Sequence, residues 1–190
     1  MFLSILAALL SGIAYVIYFF QVWNHGSVPN PASWTAWVLL ANLNAVTFLN
    51  GSKDRLATMQ FFVGSIGCVA VWTYTVIAGR FSSPDIMVWI VLASCIISCV
   101  VWKWKGAQYA SVVIALIFLW SAVPTIQGVW KNSHVEQALP WYLWTSAFTV
   151  SFFNVIRRRN REDSQWWLLL AVPIVGIVIH GLVATIVVLT

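Results

Sequence analysis

The side chains in this sequence that could do chemistry are few, and their spacing suits holding a solute better than breaking a bond. Trp34-x-x-Trp37 and Trp141-x-x-Trp144 recur 107 residues apart, and a small polar residue follows each pair seven positions on, Asn44 after Trp37 and Ser151 after Trp144. Residues three and seven apart share a helix face. Each set therefore offers an indole for stacking and, deeper, an amide or hydroxyl to fix orientation. Gln127 adds another amide. The same offset sets His180 opposite Thr73. His180 is the only ionisable side chain well inside an apolar run, and such residues mark functional sites by default. Trp37, Trp144, Asn44, Ser151, Gln127, His180 and Thr73 are thus the candidate solute-binding residues. Pro124 bends its helix by removing a backbone hydrogen bond, and with Trp34 and Trp141, at helix ends, it forms the candidate gating set.

Bond-making chemistry finds no equipment. No span holds paired carboxylates, metal-ligand histidine spacing or a Ser–His–Asp arrangement. Cys68, Cys95 and Cys99 lie in apolar runs with neither metal-ligand nor disulfide spacing. His25 and His134 fall in loops. A retinal Schiff base needs a lysine within a span, whereas Lys53, Lys103, Lys105 and Lys131 lie at helix ends or in loops. The expectation is a protein that is not an enzyme and carries no metal and no cofactor.

The elements that must position these residues are membrane helices. The chain has 190 residues, 61% hydrophobic and 8% charged, against about a quarter charged in soluble domains. Seven apolar runs, about 2–22, 34–50, 56–79, 85–102, 107–129, 139–156 and 165–189, are each near the length of a membrane span. They are too long and too continuously apolar for barrel strands. The stretch Trp23–Trp37 matches Trp130–Trp144: a Trp, a polar loop with a His, a Pro, then Trp-x-x-Trp opening another apolar run. The fourth run has no counterpart. Two three-helix units joined directly would point opposite ways, and one spare helix makes them parallel. The predicted architecture is all-α, two parallel three-helix repeats and a linker helix (3+1+3), with residues 1–81 the first repeat, 82–106 the linker and 107–190 the second repeat.

Lys53, Arg55, Lys103, Lys105, Arg157, Arg158, Arg159 and Arg161 all fall in the even-numbered loops, whereas only Arg80 and Lys131 fall in the odd ones. The positive-inside rule then sets the N-terminus in the cytoplasm and the C-terminus outside. The first run begins with no basic residue, so it lacks the opening of a secretory signal. The bias suits a bacterial inner membrane. The formal charge of +5 sits in these loops, which points to the bilayer and not to nucleic acid as the partner.

Two three-helix units, a linker helix and Pro124-Thr125-Ile126-Gln127-Gly128-Val129-Trp130-Lys131 before a short loop resemble the PQ-loop superfamily of SWEET-like sugar transporters, nicotinamide riboside transporters and, more distantly, the KDEL receptor. The Pro-Gln dipeptide itself is absent; Phe20-Gln21 stands in the first half, and Pro124 and Gln127 are separated in the second. The resemblance implies facilitative, alternating-access transport of a small neutral or weakly polar solute such as a sugar, nucleoside or vitamin. A sorting receptor or a structural membrane protein of the same fold is the alternative. One chain already holds both units, so a homo-oligomer is compatible but not required.

Overall fold

Backbone N–H and C=O groups have no water to bond in a bilayer, so a chain this apolar folds by pairing them within helices. The computed structural model describes residues 1–79, 86–159 and 162–190. The expected repeat–linker junction at 81/82, and the basic residues Arg80 and Arg161, lie outside them. Among the described residues the structure is helical, without strands. The helices are α1 (Phe2–Trp23), α2 (Pro31–Ser52), α3 (Arg55–Ile77), α4 (Ile86–Lys105), α5 (Ala107–Ser121), α6 (Val123–Lys131), α7 (Ala138–Arg158) and α8 (Ala171–Leu189). A 3-10 turn, Trp166–Leu170, leads into α8. Helices α5 and α6 follow one another through Ala122 as one bent rod, so the described residues make seven helices, one for each apolar run. Five stretches, Phe2–Trp23, Pro31–Ser52, Arg55–Ile77, Ala107–Lys131 and Trp166–Leu189, are long and apolar enough to cross a membrane.

Local chemistry sets the ends. Pro31 opens α2, and Asn30 Oδ1 accepts from the amides of Ala32 and Ser33, both at 3.1 Å. Lys53, at φ 55°, closes α2 in the left-handed region, and Asp54 at once caps α3, its Oδ1 accepting from Leu56 N at 2.9 Å. Hydroxyls within the helices are hidden by donation to carbonyls four residues back, as in Thr47, Thr75, Thr145 and Thr149. The rod bends where Pro124 lacks the N–H that would reach Trp120 O.

Helices α1 and α2 each pack closely on α3, while their backbones do not approach one another; α5 and α7 likewise each pack on α8. The two groups meet along α1–α7 and α2–α5. Helix α4 lies outside, against α5 and α2. Close approach is needed twice. A Cβ on Gly67 of α3 would collide with the Tyr15 ring of α1, and one on Gly176 of α8 with the Phe148 ring of α7.

Gly67→Ala is expected to lower the melting temperature in detergent, by a cost of about 1–3 kcal/mol for overpacking. Gly128→Ala, which meets nothing within 4 Å, should leave it unchanged or raise it slightly. Equal effects of the two would contradict the packing described.

Candidate functional site

Trp37 and Trp144, from facing helices, reach the middle of the bundle. Trp37 is 6% exposed and Trp144 3%. With Asn44 and His180 they line a cavity of about 50 Å³. Tyr15 and Ser11 of α1, Gln60 and Cys68 of α3, Phe118 of α5 and Phe148 of α7 complete its polar and aromatic wall. Every helix except α4 and α6 contributes.

The polar atoms of the wall divide into satisfied and unsatisfied. Trp37 Nε1 donates to Ser121 Oγ at 3.0 Å, and Ser33 Oγ donates to the Ser121 carbonyl at 2.7 Å. Helix α2 is thus hooked onto α5 at its last residue, beside the bend that Pro124 makes. Tyr15 Oη and Cys68 Sγ lie 3.0 Å apart. His180 Nδ1 is 2.6 Å from the Gly176 carbonyl. A carbonyl can only accept, so Nδ1 carries the proton and the neutral ring keeps Nε2 as an acceptor. In contrast, Asn44 Oδ1, Gln60 Oε1 and Trp144 Nε1 are buried without a hydrogen-bond partner. Trp34 Nε1 and the buried hydroxyls of Ser111, Thr125 and Ser151 also lack one, away from the cavity.

One turn toward the two Trp-flanked loops, a layer of rings lies across the space between the two groups of helices. Tyr18 stacks on Trp34 at 4.9 Å between centroids and meets Trp144 at 5.4 Å. Trp37 meets Trp141 edge-on at 6.0 Å. Trp34, Trp141 and Tyr18 are at most 1% exposed. Above them the two Trp-flanked loops join. Val28 N donates to Val135 O at 2.8 Å, and Gln137 Nε2 to Gly26 O at 3.2 Å. Glu136, 3% exposed, turns inward, where its carboxylate accepts from Tyr18 Oη at 2.8 Å and Trp141 Nε1 at 3.2 Å. Burial pushes its carboxyl up to about 8, against the opposing pull of hydrogen bonds from Tyr18, Trp141 and Ser27.

The opposite end is closed by polar contacts. Arg158 at the end of α7 pairs with Asp54 at 2.5 Å, Gln108 bonds Asp163, and Ser4 Oγ reaches Asn154 Oδ1 at 3.3 Å. Burial raises the Asp54 carboxyl, but Arg158 and the amides of Ala57 and Leu56 outweigh it and hold the group below its usual range. The loops bearing Lys53 and Arg55 and the Arg157–Arg159 run meet at this end, and α5, which begins after Lys103 and Lys105, joins them through Gln108.

Of the residues expected to bind solute, Trp37, Trp144, Asn44 and His180 come together at the cavity. Ser151 is buried in α7 but does not line it. Gln127 and Thr73 are exposed. Trp34 and Trp141 sit in the ring layer, and Pro124 opens α6. The sequence reading assigned no role to Gln60, Ser121 or Glu136. Gln60 could have been found as the deepest amide of its apolar run; Glu136, in a polar loop, carries no such signal. No family model, curated protein or solved structure matches the chain.

A carboxyl raised in the folded state binds its proton more tightly there than in the unfolded chain. Glu136 therefore contributes stability that is present at low pH and lost as pH rises from its ordinary value of 4.5 through about 8. The difference in melting temperature between the natural protein and Glu136→Gln should grow more unfavourable to the natural protein between pH 5 and pH 9. A pH-independent difference would contradict a buried carboxyl.

Proposed function

We propose that this chain is a membrane transporter that passes a small neutral or weakly polar solute by alternating access between two parallel three-helix units. The observation that carries the reading is the central cavity. Both groups of helices wall it, three of its residues hold buried polar atoms without partners, and contacts joining the two groups close off each end. The wall is mainly apolar and aromatic with Asn44, Gln60 and His180 set among the rings, the make-up of a small-molecule site. Buried polar atoms without a protein partner, in residues that wall a cavity, are candidates for pairing with a ligand or water.

The packing pattern supports the 3+1+3 arrangement. Exchanging α1, α2 and α3 for the α5–α6 rod, α7 and α8 turns each major contact into another observed one: α1–α3 into α5–α8, α2–α3 into α7–α8, and α1–α7 into α5–α2. Helix α4 alone has no equivalent. The gathering of basic loops at one end supports a cytoplasmic N-terminus and an external C-terminus, as in a bacterial inner membrane. The cavity wall holds His180 and no carboxylate, which favours facilitated passage over strong ion coupling. At about 50 Å³ the cavity is small, and a larger solute needs the ring layer or the Asp54–Arg158 end to part.

In proteoliposomes, saturable uptake is expected for one solute class from a panel of sugars, nucleosides, vitamins, amino acids and small amides. Trp37→Ala with Trp144→Ala should lower it by about tenfold or more, the scale of losing aromatic contacts on a bound solute together with the shape of its site. The folded protein should persist by circular dichroism and size exclusion. A folded protein that transports no class, or full uptake by the double variant, contradicts the reading.

A further inference from the structure

We infer that the solute taken by this cavity belongs to the primary amides and ureas: small, planar, neutral molecules with N–H donors beside a carbonyl acceptor. This rests on the transporter reading above and names its substrate class. The cavity is lined by two carboxamides, Asn44 of α2 and Gln60 of α3, and two indoles, of which Trp37 is bonded to Ser121 and Trp144 of α7 is not. In three of these residues a buried polar atom lacks a partner: Asn44 Oδ1, Gln60 Oε1 and Trp144 Nε1.

The donor and acceptor inventory selects the ligand. A carboxamide pairs with another carboxamide through two parallel bonds, N–H to O and O to H–N, which a single hydroxyl cannot reproduce. The pairing survives exchange of the side chain's oxygen and nitrogen, since the ligand simply turns over. A ligand carbonyl has a second lone pair, which suits the Trp144 N–H. Its second nitrogen, in a urea, suits the other carboxamide or His180 Nε2, the acceptor left by the bond from Nδ1 to Gly176. The planar ligand matches a wall of rings, among them Tyr15, Trp37, Phe61 and Phe148. Carboxylates find no cation in this wall and ammonium ions find no anion, because Asn44, Gln60, Ser11 and His180 supply its polarity. A volume of about 50 Å³ suits a molecule of a few heavy atoms without rearrangement, where a hexose would need the ends to part.

The test is stopped-flow light scattering of proteoliposomes under gradients of acetamide, urea, glycerol and glucose. Acetamide and urea should equilibrate about tenfold faster than in empty vesicles and saturate with concentration, and glycerol, similar in size, should stay near the empty-vesicle rate. A buried hydrogen-bond partner lost from the site should cost about tenfold in amide flux, so Gln60→Met and Trp144→Phe, which keep bulk and packing, should each show that loss. Quenching of the tryptophan fluorescence of the detergent-solubilised protein by acetamide should weaken in Gln60→Met in parallel. Saturable passage of glycerol or glucose without amides overturns the amide assignment and leaves the transporter reading standing. Amide flux unchanged in both variants also overturns it. Passage of no solute in this set or the larger panel overturns both readings.

Discussion

A polar atom shut away from water must find a partner, and most of this structure follows from that demand. It makes the backbone helical throughout the apolar runs. It folds the threonine hydroxyls back onto their own helices and places Asn30 and Asp54 under the first amides of α2 and α3. A buried unpaired group costs about 1–3 kcal/mol. The wall of the central cavity leaves three such atoms open, and aromatic contacts, each about 0.5–1.5 kcal/mol beyond burial, are what surround them.

The two groups of helices meet through rings at one end and charge at the other. Tyr18, Trp34, Trp141 and Trp144 interlock over the cavity, and Glu136 ties the first group's tyrosine to the second group's tryptophan. Beyond the inner end, Arg158 and Asp54 form a partly exposed pair, of a kind that contributes about 1 kcal/mol or less. Contacts of such modest strength can part and re-form. The bend before Pro124 is a further asymmetry. It ends α5 at Ser121, the residue that Ser33 and Trp37 hold, so movement of α6 is linked through one residue to the indole at the cavity.

The helices were legible because the forces that make them are legible. Long apolar runs broken by Gly26, Pro29, Pro31, Gly106 and the arginine run leave few other places for ends, and observed bounds depart from the runs by a few residues. Trp37, Trp144 and Asn44 could be grouped because their spacing holds within a helix. Helical phase was harder. In a span that is apolar all round, periodicity does not say which side faces inward, so Thr73 looks equivalent to His180 in sequence yet is exposed while His180 lines the cavity. Gln127 lies beyond the break at Ala122, which separates its face from that of α5. Glu136 was not legible at all. A glutamate in a polar loop reads as solvated, and only the fold of two loops onto each other buries it against Tyr18.

The alternating access we propose requires the two Trp-flanked loops to separate and rejoin, and locking them together tests it. Val28 and Val135 are joined by a backbone hydrogen bond of 2.8 Å. With Cys68, Cys95 and Cys99 replaced by alanine, cysteines at Val28 and Val135 can be cross-linked by oxidation in proteoliposomes and released with a reductant. Cross-linking should abolish carrier-mediated solute flux, and reduction should restore it. Undiminished flux through fully cross-linked protein would show that the loops need not part, and would contradict the account.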